Sequence, residues 1–280
     1  MPRTLYVSDL DGTLLRHDET LSPYTASVIN CLAEKGVIFS FATARSRITA
    51  CKVTGDITAN IPIVVYNGSF VMEKVSGRHL YANLFAEGEA KEILDLLISR
   101  EIYPIVYSHI DGIEKFSYVP QLESRGMRIF GETRRGDVRE RAVSTVDRLY
   151  DGEIFYFTCI DEEEKLLPVY ELLKERFSLI SHIDIYSGER WLEILPKGVS
   201  KAKAVTELKR ILDCDRVVCF GDGVNDISMF ETADECYAVG NAHEELKRIA
   251  TAVIGTNEDD GVARWMAEKY KVLGLKPCNE

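Results

Sequence analysis

The sequence predicts an α/β fold in which a doubly wound, mainly parallel sheet core is interrupted by an inserted α+β domain, and three observations predict it. Short apolar runs alternate with amphipathic segments through the first 83 residues, the pattern of parallel strands covered by helices on both faces. From residue 84 to residue 189 the strands become aromatic and alternating and are interleaved with helices. From residue 190 onward the first pattern resumes, so a core domain of 1–83 and 190–280 is split by an insertion of 84–189.

The first strand is TLYVSDL, running out at Asp9 and Leu10. A helix follows with Ser22 as N-cap and Pro23 in its first turn, where the missing N–H has no helical partner to lose, and Gly36 stops it. Val28, Ile29 and Leu32 fall on one face of that helix and point to the sheet. The second run, VIFSFAT, ends at Thr43; a polar helical segment leads to the third, IPIVVYNG, which ends at Gly68. Inside the insertion, YPIVYSH, EIFYFTCI and SHIDIYS read as strands, and Glu87–Arg100 and Glu163–Phe177 as helices. After WLEILP the core returns with a helix over Ser200–Leu212, the strand RVVCFGD, a helix from about Asn225, the strand CYAVG, a short helix, the strand AVIG and a last helix over Gly261–Lys269.

Hydrophobic residues at 46% and charged residues at 28% are ordinary for a soluble globular chain, and 280 residues allow one large domain or two moderate ones. No apolar run reaches the ~18–20 residues of a membrane span, so no membrane role is expected. MPRTLYVSDLDGT lacks the apolar core and small-residue cleavage site of a signal peptide, which predicts a cytoplasmic protein. Seven scattered cysteines without a CxxC pair, and five isolated histidines, suggest neither a disulfide framework nor a zinc site. A formal charge of −11 argues against nucleic acid as a partner, since phosphate backbones need a concentrated basic surface. It leaves a small anionic substrate open, because salt screens distant charge and a cation or lysine inside a cleft decides locally.

Four stretches carry the chemistry. In DLDGTLL, Asp9 and Asp11 stand where a buried strand ends, the edge at which open α/β sheets bind ligands. Alone, such a DxDG is also the composition of an Asx turn. In FGDGVNDISMF a second apolar strand ends in Gly221 and Asp222, with Asn225 and Asp226 opening a helix; helix capping accounts for Asp226 but not for the preceding Gly-Asp-Gly. Two carboxylate clusters at the ends of two buried strands, with no Cys or His among them, form a hard-cation site suited to magnesium. Thr43 at the end of the second strand and Lys201 at the start of a helix add a hydroxyl and a fixed ammonium, which phosphoryl transfer requires for the equatorial oxygens.

With these four in order, the chain resembles the haloacid dehalogenase superfamily, specifically its Cof-type phosphatases, whose fold is a Rossmann-like core with an inserted α/β cap. DLDGTLL matches the first motif, Thr43 the second, Lys201 the third and GDGVND the fourth, and the likeness extends to Asn67-Gly68 and to TNEDDGVA near the end. The resemblance implies that Asp9 is the nucleophile and Asp11 the acid and then base. It further implies that Asp9, the Asp11 carbonyl and Asp222 hold Mg2+, and that Thr43 and Lys201 bind the phosphoryl group. By the same resemblance Asn225 helps bind phosphate, Asp226 orients Lys201 or a metal-bound water, and Arg45, Asn67 and Gly68 face the substrate, a small phosphorylated metabolite selected by the cap. The third motif reads VSKAKA where relatives often have Gly after the lysine, and Lys197 and Lys203 flank the matching Lys201. Hydrolysis of a phosphate monoester is the expected reaction. A phosphoryl transferase or mutase, and a phosphate-binding protein without turnover, are the alternatives. Dehalogenation is disfavoured because a halide leaves without a proton, whereas an acid such as Asp11 serves a departing alkoxide.

Overall fold

The computed structural model describes residues 2–183 and 188–272. Cys278 and the last part of the predicted SHIDIYS strand, residues 184–187, lie outside the described residues. The chain forms two compact units, one of Met1–Ala82 with Val199–Glu280 and one of Asn83–Gly198.

The first unit is built on a five-stranded parallel sheet in the order Ala252–Val253, Glu235–Ala238, Arg216–Gly221, Thr4–Ser8, Ile38–Phe41. Leu5, Tyr6 and Val7 are buried, as expected of a strand flanked on both sides. The helix Pro23–Glu34 packs beside Gly261–Lys269, while Lys201–Ile211 packs with Ile227–Thr232, so helices gather in two layers. Ser22 caps the first of them by accepting from the Thr25 N–H at 3.0 Å, and Val28, Ile29 and Leu32 are its buried face. Parallel register sets Ser8 opposite both Phe41 and Phe220. Three strands therefore end at one level, and the residues that follow them emerge together.

The third apolar run does not extend the sheet as a full strand. Ile63–Val65 touches it through one bridge, Ala42 to Val64, and pairs antiparallel with Phe70–Met72, which pairs in turn with His79–Ala82. The chain reverses because Tyr66, Asn67 and Gly68 all take positive φ, at 51°, 52° and 103°.

The second unit is a six-stranded sheet in the order Ser178–Ile183, Arg190–Leu195, Glu153–Asp161, Ile105–Ile110, Ile113–Tyr118, Glu140–Ala142. Helices Glu89–Ser99 and Glu163–Leu173 cover one face, burying Ile93, Leu97, Leu166 and Val169 among Phe157, Cys159, Leu192 and Ile194. The sequence pattern predicts that the insertion ends at residue 189 and that WLEILP belongs to the core. Arg190–Leu195 instead pairs antiparallel with strands on both sides of it in this sheet, and its Leu192 and Ile194 complete the sheet's own core, which carries the unit to Gly198. No helix of the described residues is long and apolar enough to cross a membrane.

Candidate active site

Asp9 leaves the sheet with one more ladder bond, its N–H donating to the Phe220 carbonyl at 3.0 Å. The next residues, Leu10–Leu14, make a wide turn closed by the Leu15 N–H on the Leu10 carbonyl at 2.8 Å, with Asp11 extended and Gly12 at φ +75°. A Cβ at Gly12 would lie 2.4 Å from Asp222 Oδ2, so both conformation and space demand glycine there. Thr13 secures the same neighbour, its hydroxyl donating to Asp222 Oδ1 at 2.8 Å.

Lys201 opens the helix Lys201–Ile211, whose N-cap Ser200 accepts from the Lys203 N–H at 3.2 Å. Its side chain is 1% exposed, and Nζ donates to Asp9 Oδ1 at 2.8 Å and to Asp226 Oδ1 at 2.7 Å. The other oxygen of Asp226 accepts from the backbone N–H groups of Asp222 and Gly223, each at 3.1 Å. Close approach of the Asn67-Gly68 turn backs this arrangement: a Cβ at Gly68 would sit 2.2 Å from the Ser200 carbonyl oxygen. The flanking Lys203 is exposed, so Lys201 alone of that pair enters the acidic cluster.

One ammonium among three carboxylates leaves excess negative charge in a buried place. Burial would lower the Lys201 pKa, but Asp226 and Asp9 hold it above its ordinary value. Burial pushes Asp9 well above the usual carboxylate range, Lys201 opposing and Asp226 and Asp222 adding to the push. Asp222 is raised to about 6, by burial first, against the Thr13 hydrogen bond and with Asp226 repelling it. Carboxylate oxygens of Asp9, Asp222 and Asp226 lie within 4.8 Å of one another. Both Asp226 oxygens are committed to hydrogen bonds, whereas Asp9 and Asp222 each keep an oxygen that accepts none among the described residues. An oxygen-only donor set with uncompensated charge fits a hard divalent cation.

The remaining candidates form a second chain of contacts. Thr43 is fully buried, takes the Asn67 N–H on its carbonyl at 3.0 Å and the Arg45 N–H on its hydroxyl at 3.1 Å. Arg45 forks onto Asp11, Nε donating to Oδ2 at 2.8 Å, and also reaches Glu19 at 2.6 Å. Asn225 Nδ2 meets Asn67 Oδ1 at 3.5 Å. Asp9, Asp222, Asp226 and Lys201 thus converge directly, while Asp11, Thr43, Arg45, Asn67 and Asn225 join them through neighbouring strand ends. Thr13 and Glu19 were not singled out from the sequence. Thr13 stood inside a matched motif and could have been; Glu19 sits in an exposed loop with no pattern to mark it.

Residues 6–266 match the family model of haloacid dehalogenase-like hydrolases. The chain belongs to that family. This haloacid dehalogenase-like hydrolase is 29% identical over 275 residues to the 5-amino-6-(5-phospho-D-ribitylamino)uracil phosphatase YwtE of Bacillus subtilis, covering 91% of this chain and 94% of the relative. It is 27% identical over 263 residues to the HMP-PP phosphatase of Serratia proteamaculans, covering 92% of each. Among solved structures, a haloacid dehalogenase-like hydrolase from Bacteroides thetaiotaomicron has the same fold, with TM-score 0.78 at 21% identity over 95% of this chain and 99% of that one. A Thermotoga maritima crystal structure aligns over 100% of both chains with TM-score 0.77 and 25% identity. This haloacid dehalogenase-like hydrolase is a phosphatase with a Rossmann-like core and a cap.

Proposed function

We propose that the protein hydrolyses a small organic phosphate monoester through an aspartyl-phosphate on Asp9, with Mg2+ as cofactor. One Asp9 oxygen attacks phosphorus, the bond from phosphorus to the leaving oxygen breaks, and Asp11 gives that oxygen its proton. Asp11, now a carboxylate, takes a proton from the water that attacks phosphorus, and inorganic phosphate leaves Asp9 as it was. Lys201 and Thr43 hold the transferring group, and Asp226 keeps Lys201 charged and aimed. Asn225, Asn67, Gly68 and Arg45 make up the substrate side. Asp9, the Asp11 carbonyl and Asp222 would hold Mg2+, which would supply the positive charge that admits a phosphate dianion to an acidic cleft.

The observation that carries this reading is the buried Lys201 ammonium between Asp9 and Asp226, with Asp222 alongside. It anchors the Asp9 carboxylate through one oxygen in a buried, fixed position, and a fixed orientation is what a nucleophilic carboxylate needs. The substrates for which YwtE and the Serratia enzyme are named support a phosphorylated metabolite of small size as substrate. The test is a panel of phosphorylated metabolites assayed with and without Mg2+, with Asp9→Asn as control. Metal-dependent phosphate release by the wild type alone is expected; equal release by Asp9→Asn ends the proposal.

A further inference from the structure

The segment TNEDDGVA and the loop after the strand Glu235–Ala238 have no part in the chemistry above, yet both reach the turn that carries Asp11. Asn241 Nδ2 donates to the Gly12 carbonyl at 2.7 Å. The amide orientation is set from behind, because the Asn257 N–H donates to Asn241 Oδ1 at 3.0 Å. Asn257 is itself buried, and its Nδ2 donates to the Leu15 carbonyl at 3.0 Å. Two linked asparagines thereby hold the turn at the Gly12–Thr13 peptide, one residue past Asp11, and again at its end. The same loop also holds the other strand end, the His243 N–H donating to the Asp222 carbonyl at 2.8 Å.

This clamp matters because the Asp11 side chain is 46% exposed, and among the described residues its charged partner is Arg45, which holds it at the carboxylate tip. Arg45 holds the Asp11 carboxylate at its tip, and the direction from which the side chain reaches it is set by the backbone of the turn. We infer that Asn241, braced by Asn257, is a positioning residue that fixes the Gly12 peptide and so aims the Asp11 carboxyl at the leaving oxygen. The inference rests on Asp11 being the acid of the proposed reaction.

A misaimed acid has a selective signature. An alkyl phosphate needs its leaving oxygen protonated, whereas p-nitrophenolate departs as an anion, and kcat/KM reports only the steps up to that departure. Asn241 is exposed, so Asn241→Ala is expected to fold with a nearly unchanged melting temperature. Its kcat/KM on the best alkyl phosphate of the metabolite panel should fall roughly 10- to 100-fold, against less than about threefold on p-nitrophenyl phosphate. Asn241→Asp keeps the shape and the bond from Asn257 but faces the Gly12 carbonyl with a second acceptor, and should show the same selective loss. Equal losses on both esters, no loss on either, or wild-type selectivity in Asn241→Asp would overturn the inference. Asp11→Asn, run in parallel, separates the two levels. Selective loss there without selective loss at Asn241 defeats the clamp alone. Loss without selectivity at Asp11, or a wild type that hydrolyses neither ester, defeats the acid assignment and the clamp with it.

Discussion

Lys201 and Asp226 meet at 2.7 Å with side chains 1% and 0% exposed, and the same ammonium reaches Asp9 at 2.8 Å. A buried ion pair adds little to stability against an apolar substitute of the same shape, but a broken one leaves an unpaired charge out of water. Lys201→Met removes the ammonium that pairs with Asp9 and Asp226 in a cluster of three acids. The variant should lose about 3–5 kcal/mol in urea unfolding without metal and release no phosphate. A loss below ~1 kcal/mol would mean that the triad relaxes into solvent, contrary to its burial.

Gly68 and Gly36 share a positive φ, at 103° and 81°, but differ in what surrounds them. Nothing lies within 4 Å of a Cβ built at Gly36, whereas one at Gly68 would strike the Ser200 carbonyl beside Lys201. Gly36→Ala should therefore cost about 1 kcal/mol, the backbone strain alone. Gly68→Ala should cost at least ~2 kcal/mol and also reduce turnover, since relief of the clash must move the start of the lysine's helix. Equal unfolding energies for the two would show that the Asn67-Gly68 turn yields without disturbing Lys201.

Most of the candidate site was legible because its residues stand at strand ends and helix starts, where local patterns mark them: Asp9 after an apolar run, Lys201 after a Ser N-cap. Parallel register then did the assembly, setting Ser8, Phe41 and Phe220 level. Two features were hidden. The hairpin of Ile63–Val65 with Phe70–Met72 depends on positive φ at Tyr66 as well as at Asn67 and Gly68, and a tyrosine does not announce that conformation. The strand Arg190–Leu195 is apolar enough for either sheet, and only its pairing partners, distant in sequence, decide its unit. The partner of Arg45 was invisible for a related reason, because an exposed Glu19 has no periodicity around it.

Glu193 lies in the cap sheet opposite Thr158, and burial raises its pKa to about 7 against the Tyr156 hydrogen bond. A carboxyl whose folded pKa exceeds the unfolded value of 4.5 binds more protons in the native state. Its stabilising contribution is complete below pH ~4.5 and is lost as pH rises through ~7. Glu193→Gln stays neutral and should flatten that slope. Relative to the variant, the wild-type cap should be weaker at pH 8 than at pH 5, by up to roughly 3 kcal/mol before solvent screening of a half-buried group. Parallel unfolding curves for the two proteins across this range would place the Glu193 carboxyl in water.

Asp222 presents the opposite case, a raised carboxyl with a purpose. Without metal, its burial beside Asp226 costs the folded protein stability as pH rises from about 3.8 through about 6, so Asp222→Asn should be at least as stable as the wild type in metal-free buffer at pH 8. Magnesium should reverse the order. A ligand that binds only the folded state at a hundred times its Kd adds about 2.7 kcal/mol, which the wild type gains and Asp222→Asn forgoes. Thermal unfolding of both proteins across a magnesium titration therefore gives curves that cross. Curves that rise together would mean that the ion binds elsewhere, and wild-type curves that stay flat would mean that Asp9 and Asp222 do not share one.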